Sequence, residues 1–342
     1  MGCIVGKWIF VTFFCLISVR GVFCQEYNFV TLSTVKARSL AMGGAFVSIE
    51  DDLPSLDFNP ATFSLNPLPG KTQFSLFFNP LGPLVIAKNR KNVPSWDVPL
   101  GWLIRGFTLS VGRAEFGVLL GEESLADEKR LKRDDIFDGT GYQRERNTSF
   151  GFALVLAPRV SLGIAGELFI RGKNEVSTGG ENTKKELGIG YRYGLMIKTR
   201  NNLHVGLCFF DFPDAYSKDR MVLERLADET LNIGVSYSLW KSLILALDVR
   251  NVSDEGKGAV REPHAGVELS LFRHLKLRGG YYREKEGKET ISLGLGVLDW
   301  NALLPESRRF LHPTLAVNTA MLLRRDKGEE SRWFILSCIL RF

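Results

Sequence analysis

From about Phe74 to the last residue, the chain consists of short stretches in which apolar and polar residues alternate, separated by turns and charged loops. Residues 230–239 are typical of these stretches. One face carries Leu231, Ile233, Val235, Tyr237 and Leu239. Because successive side chains of a strand point to opposite faces, this period of two predicts strands with one apolar and one polar face. Since the stretches recur without helices between them, we expect one large antiparallel sheet that closes on itself.

The polar face of these strands indicates where the sheet lies. It carries mostly Gly, Ser, Ala and Asn with scattered charges, and such side chains are too small and too polar to fill a large soluble barrel. The apolar face is therefore expected to point outward, toward lipid. The predicted fold class is all-β: a transmembrane antiparallel β-barrel.

The alternating stretches number about fourteen, an even number, as in bacterial outer-membrane barrels. The predicted strands are 72–79, 99–110, 113–121, 147–157, 160–172, 186–198, 202–212, 230–239, 242–251, 264–272, 275–284, 289–298, 313–324 and 331–342. Their connections are alternately long, as at 122–146 and 173–185, and short, as at Pro158-Arg159. Short periplasmic turns and long outer loops produce this pattern and place both ends of the barrel in the periplasm. The connection 299–312 is too long for the pattern, so a misassigned strand is most expected there.

Charged residues within the strands fall on the polar face. A charge on the lipid face costs about 2–4 kcal/mol at the bilayer midplane, which favours an inward position. The lumen-facing candidates are Glu167, Arg171, Arg192, Asp248, Arg250, Glu268 and Arg278. Such residues usually pair across the barrel or contact a segment inside it.

The first 24 residues have the pattern of a signal peptide. Lys7 precedes an apolar run from Trp8 to Val19, which is shorter than the roughly 20 residues of a spanning helix. We expect cleavage after Cys24, with a lipidated Cys24 as the alternative. A signal peptide followed by amphipathic strands indicates the outer membrane of a diderm bacterium. The aromatic last residue, Phe342, resembles the signal that the barrel-assembly machinery reads.

Residues 25–70 do not alternate in this way and are predicted to form a hatch that plugs the lumen, ahead of a barrel at 71–342. This segment contains an Ala-Arg start, a Met-Gly-Gly-Ala-Phe run, an acidic pair and an Asn-Pro-Ala turn. The pattern resembles that of the FadL-type outer-membrane transporters of hydrophobic compounds. Its residues are Ala37, Arg38, Met42, Gly43, Gly44, Ala45, Phe46, Asp51, Asp52, Asn59, Pro60 and Ala61.

The resemblance implies a fourteen-stranded barrel with an N-terminal hatch and passive uptake of a hydrophobic molecule, typically a long-chain fatty acid. In that family the substrate binds among the outer loops, enters an internal pocket and leaves through a lateral opening as the hatch rearranges. The implied partners are therefore a fatty acid-like substrate and outer-membrane lipid. The implied hatch and gating residues are Met42, Gly43, Gly44, Phe46, Asp51, Asp52, Asn59, Pro60 and Ala61.

Two other functions are open at this point. The N-terminal pattern is also similar to that of barrels that serve as adaptors or anchors in protein-secretion systems, and a non-selective structural porin would share the strand pattern. Catalysis is not expected, because the chain has no nucleophile motif, metal-ligand cluster or phosphate-binding loop. Of the four histidines, His264 is placed at a strand edge and only His204 is expected to face the lumen. We predict no cofactor, no metal and no nucleic-acid partner.

Overall fold

A computed structural model describes most of the predicted barrel and part of the segment before it. The described residues are 28–29, 36–51, 53–63, 72–78, 103–124, 140–177, 180–199, 202–211, 229–239, 242–250, 252, 261–272, 275–283, 289–297, 314–326 and 329–341. The predicted signal peptide, Cys24, Asp52 and Phe342 lie outside these ranges. In the part of the chain that the structure describes, no helix has the length and hydropathy needed to span a membrane.

Fourteen strands form a closed antiparallel barrel, as predicted. Each strand pairs with the next one in the sequence, and the last strand pairs with the first barrel strand. A further strand of two residues, β1 (Asn28–Phe29), pairs in parallel with the last strand. The barrel strands are β2 (Thr72–Phe78), β3 (Ile104–Val111), β4 (Ala114–Ser124), β5 (Thr140–Ala157), β6 (Val160–Ser177), β7 (Gly180–Lys198), β8 (Leu203–Asp211), β9 (Glu229–Leu239), β10 (Leu243–Arg250), β11 (Glu262–Phe272), β12 (Leu275–Arg283), β13 (Glu289–Val297), β14 (Thr314–Asp326) and β15 (Glu329–Arg341).

Burial alternates along the strands in the predicted sense. In β10, Ala246, Asp248 and Arg250 are buried inside the barrel, whereas Leu245 and Leu247 are exposed on its outer face. Leu247 is 65% exposed, which would be unfavourable in water. Large apolar side chains are exposed in the same way on most other strands. The outer face is therefore the lipid-facing surface of a transmembrane barrel.

Strands β5, β6 and β7 are longer than predicted, at 18, 18 and 19 residues. The expected loop at 173–185 is wrong, because the β6–β7 ladder continues without interruption as far as Ser177 and Gly180. A tilted strand needs only about 9–11 residues to cross the bilayer. Beyond that length no face contacts lipid, so backbone pairing continues through charged sequence that lacks the apolar alternation.

The suspected misassignment near 299–312 is not present. Strands β13 and β14 pair directly, from Glu289 with Arg325 to Val297 with Val317, so no strand is missing between them. Residues 298–313 themselves lie outside the described ranges.

Residues 36–63 form the inner segment, which lies within the barrel. It contains helix α1 (Ala37–Ala41) and two short 3₁₀ helices, Leu53–Asp57 and Pro60–Thr62. Helix α1 is followed by a turn at Gly43 and Gly44, whose positive φ angles of 64° and 70° favour glycine. All described residues of the inner segment are buried except Arg38, Glu50 and Asp51, which are partly buried.

Candidate functional site

The inner segment crosses the lumen, and its two halves contact different parts of the wall. The first half, residues 36–50, lies mainly against β8–β15. The second half, residues 53–63, lies mainly against β3–β7. The two halves are joined by Asn59, whose Nδ2 donates to the carbonyl oxygen of Val47 at 2.8 Å, and by the Lys36–Asp57 ion pair at 2.6 Å.

Wall side chains bind the main chain of the first half. Asp248 Oδ2 accepts hydrogen bonds from the backbone nitrogens of Phe46 (2.6 Å) and Val47 (2.8 Å). Arg250 donates to the carbonyl oxygen of Gly44 at 2.7 Å. His264 Nδ1 lies 2.6 Å from the carbonyl oxygen of Gly43, so this nitrogen carries the proton.

A serine of the wall adds a further main-chain contact at the same turn. Ser292 Oγ accepts from Gly43 N and donates to the carbonyl oxygen of Ala41, each at 3.0 Å. These wall groups replace the water that would otherwise solvate the exposed peptide groups of a turn. The path of the main chain through residues 41–47 is therefore fixed by the wall.

Glycines on both surfaces allow this close approach. A Cβ atom on Gly43 would lie 2.6 Å from the backbone nitrogen of Tyr281, and one on Gly266 would lie 2.5 Å from the carbonyl oxygen of Met42. A Cβ atom on Gly280 would overlap the backbone nitrogen of Gly43. The first half thus packs backbone against backbone, which only glycine permits.

A buried ion-pair cluster connects α1 to the wall through Glu268. This carboxylate, 2% exposed, accepts from Arg38 Nε (2.8 Å) and Nη2 (3.0 Å) and from Arg278 Nε (2.6 Å). Lys276 lies 3.7 Å away, and Arg38 also pairs with Asp51 at 3.3 Å. Burial alone would lower the pKa of Arg38, but Glu268 and Asp51 outweigh it and hold that pKa above its ordinary value. Arg38 is therefore charged at any physiological pH.

A second buried cluster holds the second half through Asp57. Its carboxylate pairs with Lys36 and with Arg192, the latter at 3.2 Å, and accepts from Ser149 Oγ at 3.4 Å. Arg192 also pairs with Glu167 and donates to the carbonyl oxygen of Leu56 at 3.2 Å. Because both partners of each pair are buried, removal of one would leave a charge without compensation.

The Asn-Pro-Ala turn is bound through its own side chain and through two wall glycines. Asn59 caps the helix Pro60–Thr62 by accepting from Ala61 N, and it donates to the carbonyl oxygens of Val47 and Leu195. Cβ atoms on Gly163 and Gly194 would overlap this turn. Ser161 Oγ donates to the carbonyl oxygen of Ala61 at 2.6 Å.

Three apolar clusters lie between the inner segment and the wall. The first, which we call the β2–β6 cluster, comprises Leu53, Leu56, Phe63, Phe77, Leu119, Ala153, Ala165 and Ile339. The second surrounds the turn after α1 and comprises Met42, Ala45, Phe46, Ile49, Phe58 and Ala246. The third lies beside α1 and comprises Ala37, Leu40, Ala41, Tyr282, Ala320, Leu322 and Ile335. All three are nearly free of water contact, so the lumen offers apolar surfaces next to buried charges.

The structure places most of the predicted site residues in these contacts. Met42, Gly43, Gly44, Phe46, Asp51, Asn59, Pro60 and Ala61 belong to the inner segment, and Glu167, Arg192, Asp248, Arg250, Glu268 and Arg278 lie on the inner face of the wall. For Arg171 only the backbone is described, in β6, and Asp52 lies outside the described residues.

Several contact residues were missed by the sequence-based prediction. His264 is not at a strand edge: it lies within β11, 3% exposed, and contacts Gly43. Asp57 was visible in the sequence, two residues before Asn59, but was not assigned to the site. Lys36, Ser149 and Ser292 carried no sequence signal, because nothing in a strand pattern shows which inward residue faces which turn.

Comparison with known proteins identifies the fold of the chain. No family model matches the sequence, and no curated protein does. Among solved structures, the toluene transporter TbuX of Ralstonia pickettii is similar over 93% of this chain and 97% of its own, with a TM-score of 0.55 and 12% identity. A Pseudomonas aeruginosa FadL homologue covers 92% and 98% (TM-score 0.51, 11% identity). The Pseudomonas putida toluene transporter TodX covers 92% and 99% (TM-score 0.50, 14% identity). At this level of identity the likeness concerns the fold, and the chain has the fold of the FadL-type barrels.

Proposed function

We propose that the protein is an outer-membrane channel for passive uptake of hydrophobic small molecules such as long-chain fatty acids, with residues 25–70 acting as a hatch. The observation that carries the proposal is the inner segment, which crosses the lumen and forms apolar clusters with the wall. A hydrophobic molecule can replace apolar contacts of this kind at little cost in free energy, because apolar surface stays buried.

The packing of the lumen favours this function over a non-selective porin. Residues 36–63 are almost entirely buried against inward wall residues, so a water-filled path cannot run through the space that they occupy. The similar solved structures are described as toluene transporters, monoaromatic hydrocarbon channels and a FadL homologue, which agrees with an apolar substrate.

Gating would consist of a rearrangement of the inner segment. All of its described contacts with the wall are non-covalent: hydrogen bonds to main-chain atoms, two ion-pair clusters and apolar packing. A bound substrate that packs better against a displaced segment would shift the population toward that state by its difference in affinity. Short connections between strands are typical of the periplasmic end of such barrels, so we propose that both termini are periplasmic.

Binding of a fluorescent long-chain fatty acid to the refolded chain Gln25–Phe342 tests the proposal. We expect saturable micromolar binding that weakens when residues 25–61 are deleted. A matched pair of substitutions locates the site: Phe63 lies in the β2–β6 cluster, and Phe334 is 43% exposed on the lipid face. Phe63→Ala should weaken binding by about 10- to 150-fold, since a buried aromatic contributes about 1.5–3 kcal/mol, whereas Phe334→Ala should not change it.

A folded barrel that binds no fatty acid at any accessible concentration would contradict the proposal. The secretion-adaptor function would then be preferred, and a protein partner should copurify with the barrel from its native membrane.

A further inference from the structure

Three buried hydroxyl groups form a row on the inner face of the wall. Ser75 lies on β2, and Thr108 and Ser110 lie on β3; each of the three residues is 0% exposed. Ser75 and Thr108 are register partners, so their Cβ atoms lie about 4.5–5.5 Å apart. Thr108 and Ser110 point to the same face, because side chains two residues apart in a strand do so. We call these three residues the hydroxyl row.

Within the part of the chain that the structure describes, none of the three hydroxyl oxygens has a hydrogen-bond partner. Other buried serines of the wall do bind the inner segment: Ser161 donates to the carbonyl oxygen of Ala61, and Ser236 donates to that of Ser48 at 2.9 Å. A buried polar group without a partner is destabilising, and such groups are rare in folded proteins. Alanine or valine would avoid this loss, so the stability of the wall does not explain the hydroxyl row.

The hydroxyl row borders the apolar β2–β6 cluster. Phe77 of this cluster lies two residues from Ser75, on the same face of β2. Gly117 of β4 is the register partner of Thr108, and a Cβ atom on Gly117 would lie 2.8 Å from the ring of Phe63. A ligand whose apolar part lies in the β2–β6 cluster can therefore reach the hydroxyl row with one end.

Two buried charged side chains flank the hydroxyl row, and they carry opposite signs. Glu115 is the register partner of Ser110, and Arg105 lies at the irregularity in the β2–β3 register. Together they add no net charge to this part of the lumen, and hydroxyl groups add none. An ionised head group would therefore leave water without a compensating charge, whereas a neutral group that donates and accepts hydrogen bonds would satisfy the row.

We propose that the hydroxyl row is a head-group site for a small molecule with an apolar body and one neutral hydroxyl group, such as a single-chain alcohol or a phenol. The apolar body lies in the β2–β6 cluster, and the ligand hydroxyl exchanges hydrogen bonds with the hydroxyl row. This proposal rests on the uptake function above, and it adds the substrate class that the channel prefers.

Competition binding to the refolded chain Gln25–Phe342 tests the site. The competitors 1-dodecanol, dodecanoate and 1-chlorododecane have chains of the same length, and each is titrated against the fluorescent fatty acid. We expect 1-dodecanol to bind about tenfold more tightly than 1-chlorododecane, and also more tightly than dodecanoate.

A double variant locates the preference. Ser75→Ala/Thr108→Val removes two hydroxyl groups with little change in volume, so binding of 1-dodecanol should weaken about tenfold while that of 1-chlorododecane stays the same. Thr72→Val, at an exposed threonine of β2, is the matched control and should change neither.

Urea titration without ligand separates a binding role from a structural one. The double variant should be at least as stable as the wild type, since the hydroxyl groups that it removes have no partner among the described residues. A loss of stability, an unchanged affinity for 1-dodecanol, or an equal loss of affinity for 1-chlorododecane would each overturn the head-group site. Tighter binding of dodecanoate than of 1-dodecanol would overturn the neutral head group.

Failure of the uptake function would look different. A folded wild-type chain that binds neither the fluorescent fatty acid nor any competitor would refute uptake and the head-group site together. A chain that binds the fatty acid and 1-chlorododecane, but shows no preference for 1-dodecanol, would retain the uptake function and refute the head-group site alone.

Discussion

The two halves of the inner segment are held inside the same barrel by different means. The wall binds residues 41–47 through their main-chain atoms, using Asp248, Arg250 and Ser292, and wall glycines lie against the same backbone. Residues 53–63 are instead held largely by their own side chains, with Leu56 and Phe63 in an apolar cluster and Asp57 in an ion-pair cluster.

This difference shows which kind of change each half should tolerate. Contacts through main-chain atoms depend on the path of the backbone, so residues 41–47 are sensitive to any added Cβ and less sensitive to the identity of other side chains, whereas Arg38 of the same half is held through its charge. Contacts through side chains depend on volume and charge, so the second half is sensitive to truncation and neutralisation.

Removal of both halves should have the largest effect. We expect a chain that lacks residues 25–61 to fold as a barrel, because the ladders that join β2–β15 into a closed sheet do not include these residues, but to conduct small polar solutes through the vacated lumen. Single-channel conductance in planar bilayers measures this. An unchanged conductance would show that the segment does not plug the lumen.

The next largest effect, a loss of stability, is expected from substitutions in the two ion-pair clusters. Glu268→Gln leaves Arg38 and Arg278 without their shared carboxylate, and we expect the free energy of unfolding to fall by about 3–5 kcal/mol. Asp57→Asn should destabilise the other half in the same direction. Urea titrations measure both, with Glu289→Gln as the control at an exposed hydrogen bond.

The double variant Arg38→Gln/Glu268→Gln separates a structural ion pair from a general effect of the substitution. Its loss of stability should be smaller than the sum of the losses of the two single variants, since either single substitution already breaks the Arg38–Glu268 pair. Additive losses would mean that the two groups do not interact.

A smaller loss of stability is expected from Gly-to-Ala substitutions, and only at glycines that contact the inner segment. Gly280→Ala inserts a Cβ against Gly43 and should cost about 1–3 kcal/mol, as overpacking usually does. The adjacent Gly279→Ala is the matched control, since its nearest contact would be an ordinary 3.5 Å. Thermal unfolding of the two variants compares them. Equal midpoints would show that the first half adapts to an added side chain.

The smallest loss of stability is expected at Asn59, whose side chain connects the two halves of the inner segment. Asn59→Ala removes the bonds to Val47 and Leu195 and the cap on Ala61, and should cost about 1–2 kcal/mol. Asn59→Ser keeps a side-chain oxygen that can accept from Ala61 N and loses the two donated bonds without burying a charge, so its stability should fall between Ala and the native residue. A Ser variant no better than Ala would assign the effect to the donated bonds alone.

The fold was largely predictable because lipid imposes a simple rule on each strand. Between Leu245 and Arg250 every second residue must suit lipid, and that rule is visible in one sequence. The rule applies only where strands contact lipid, so the sequence predicts a loop at the far ends of β6 and β7, where the ladder in fact continues.

The site was only partly predictable, for a related reason. An inward charge such as Glu268 is recognised by its place in the alternation, but its partner Arg38 lies 230 residues away, and no local pattern connects them. His264 shows the same limit, because a strand end misplaced by two residues was enough to assign it to the edge.

The position of the inner segment ahead of all the barrel strands has a consequence for the order of assembly. Ser161, the hydrogen-bond partner of Ala61, lies 100 residues further along the chain. Ser292, the partner of Ala41, lies 251 residues further along. Loop closure over the longer separation costs more entropy and requires β13 to be in place. The second half can therefore be fixed while the barrel is still open, and the first half, although synthesised earlier, is fixed only as the barrel closes.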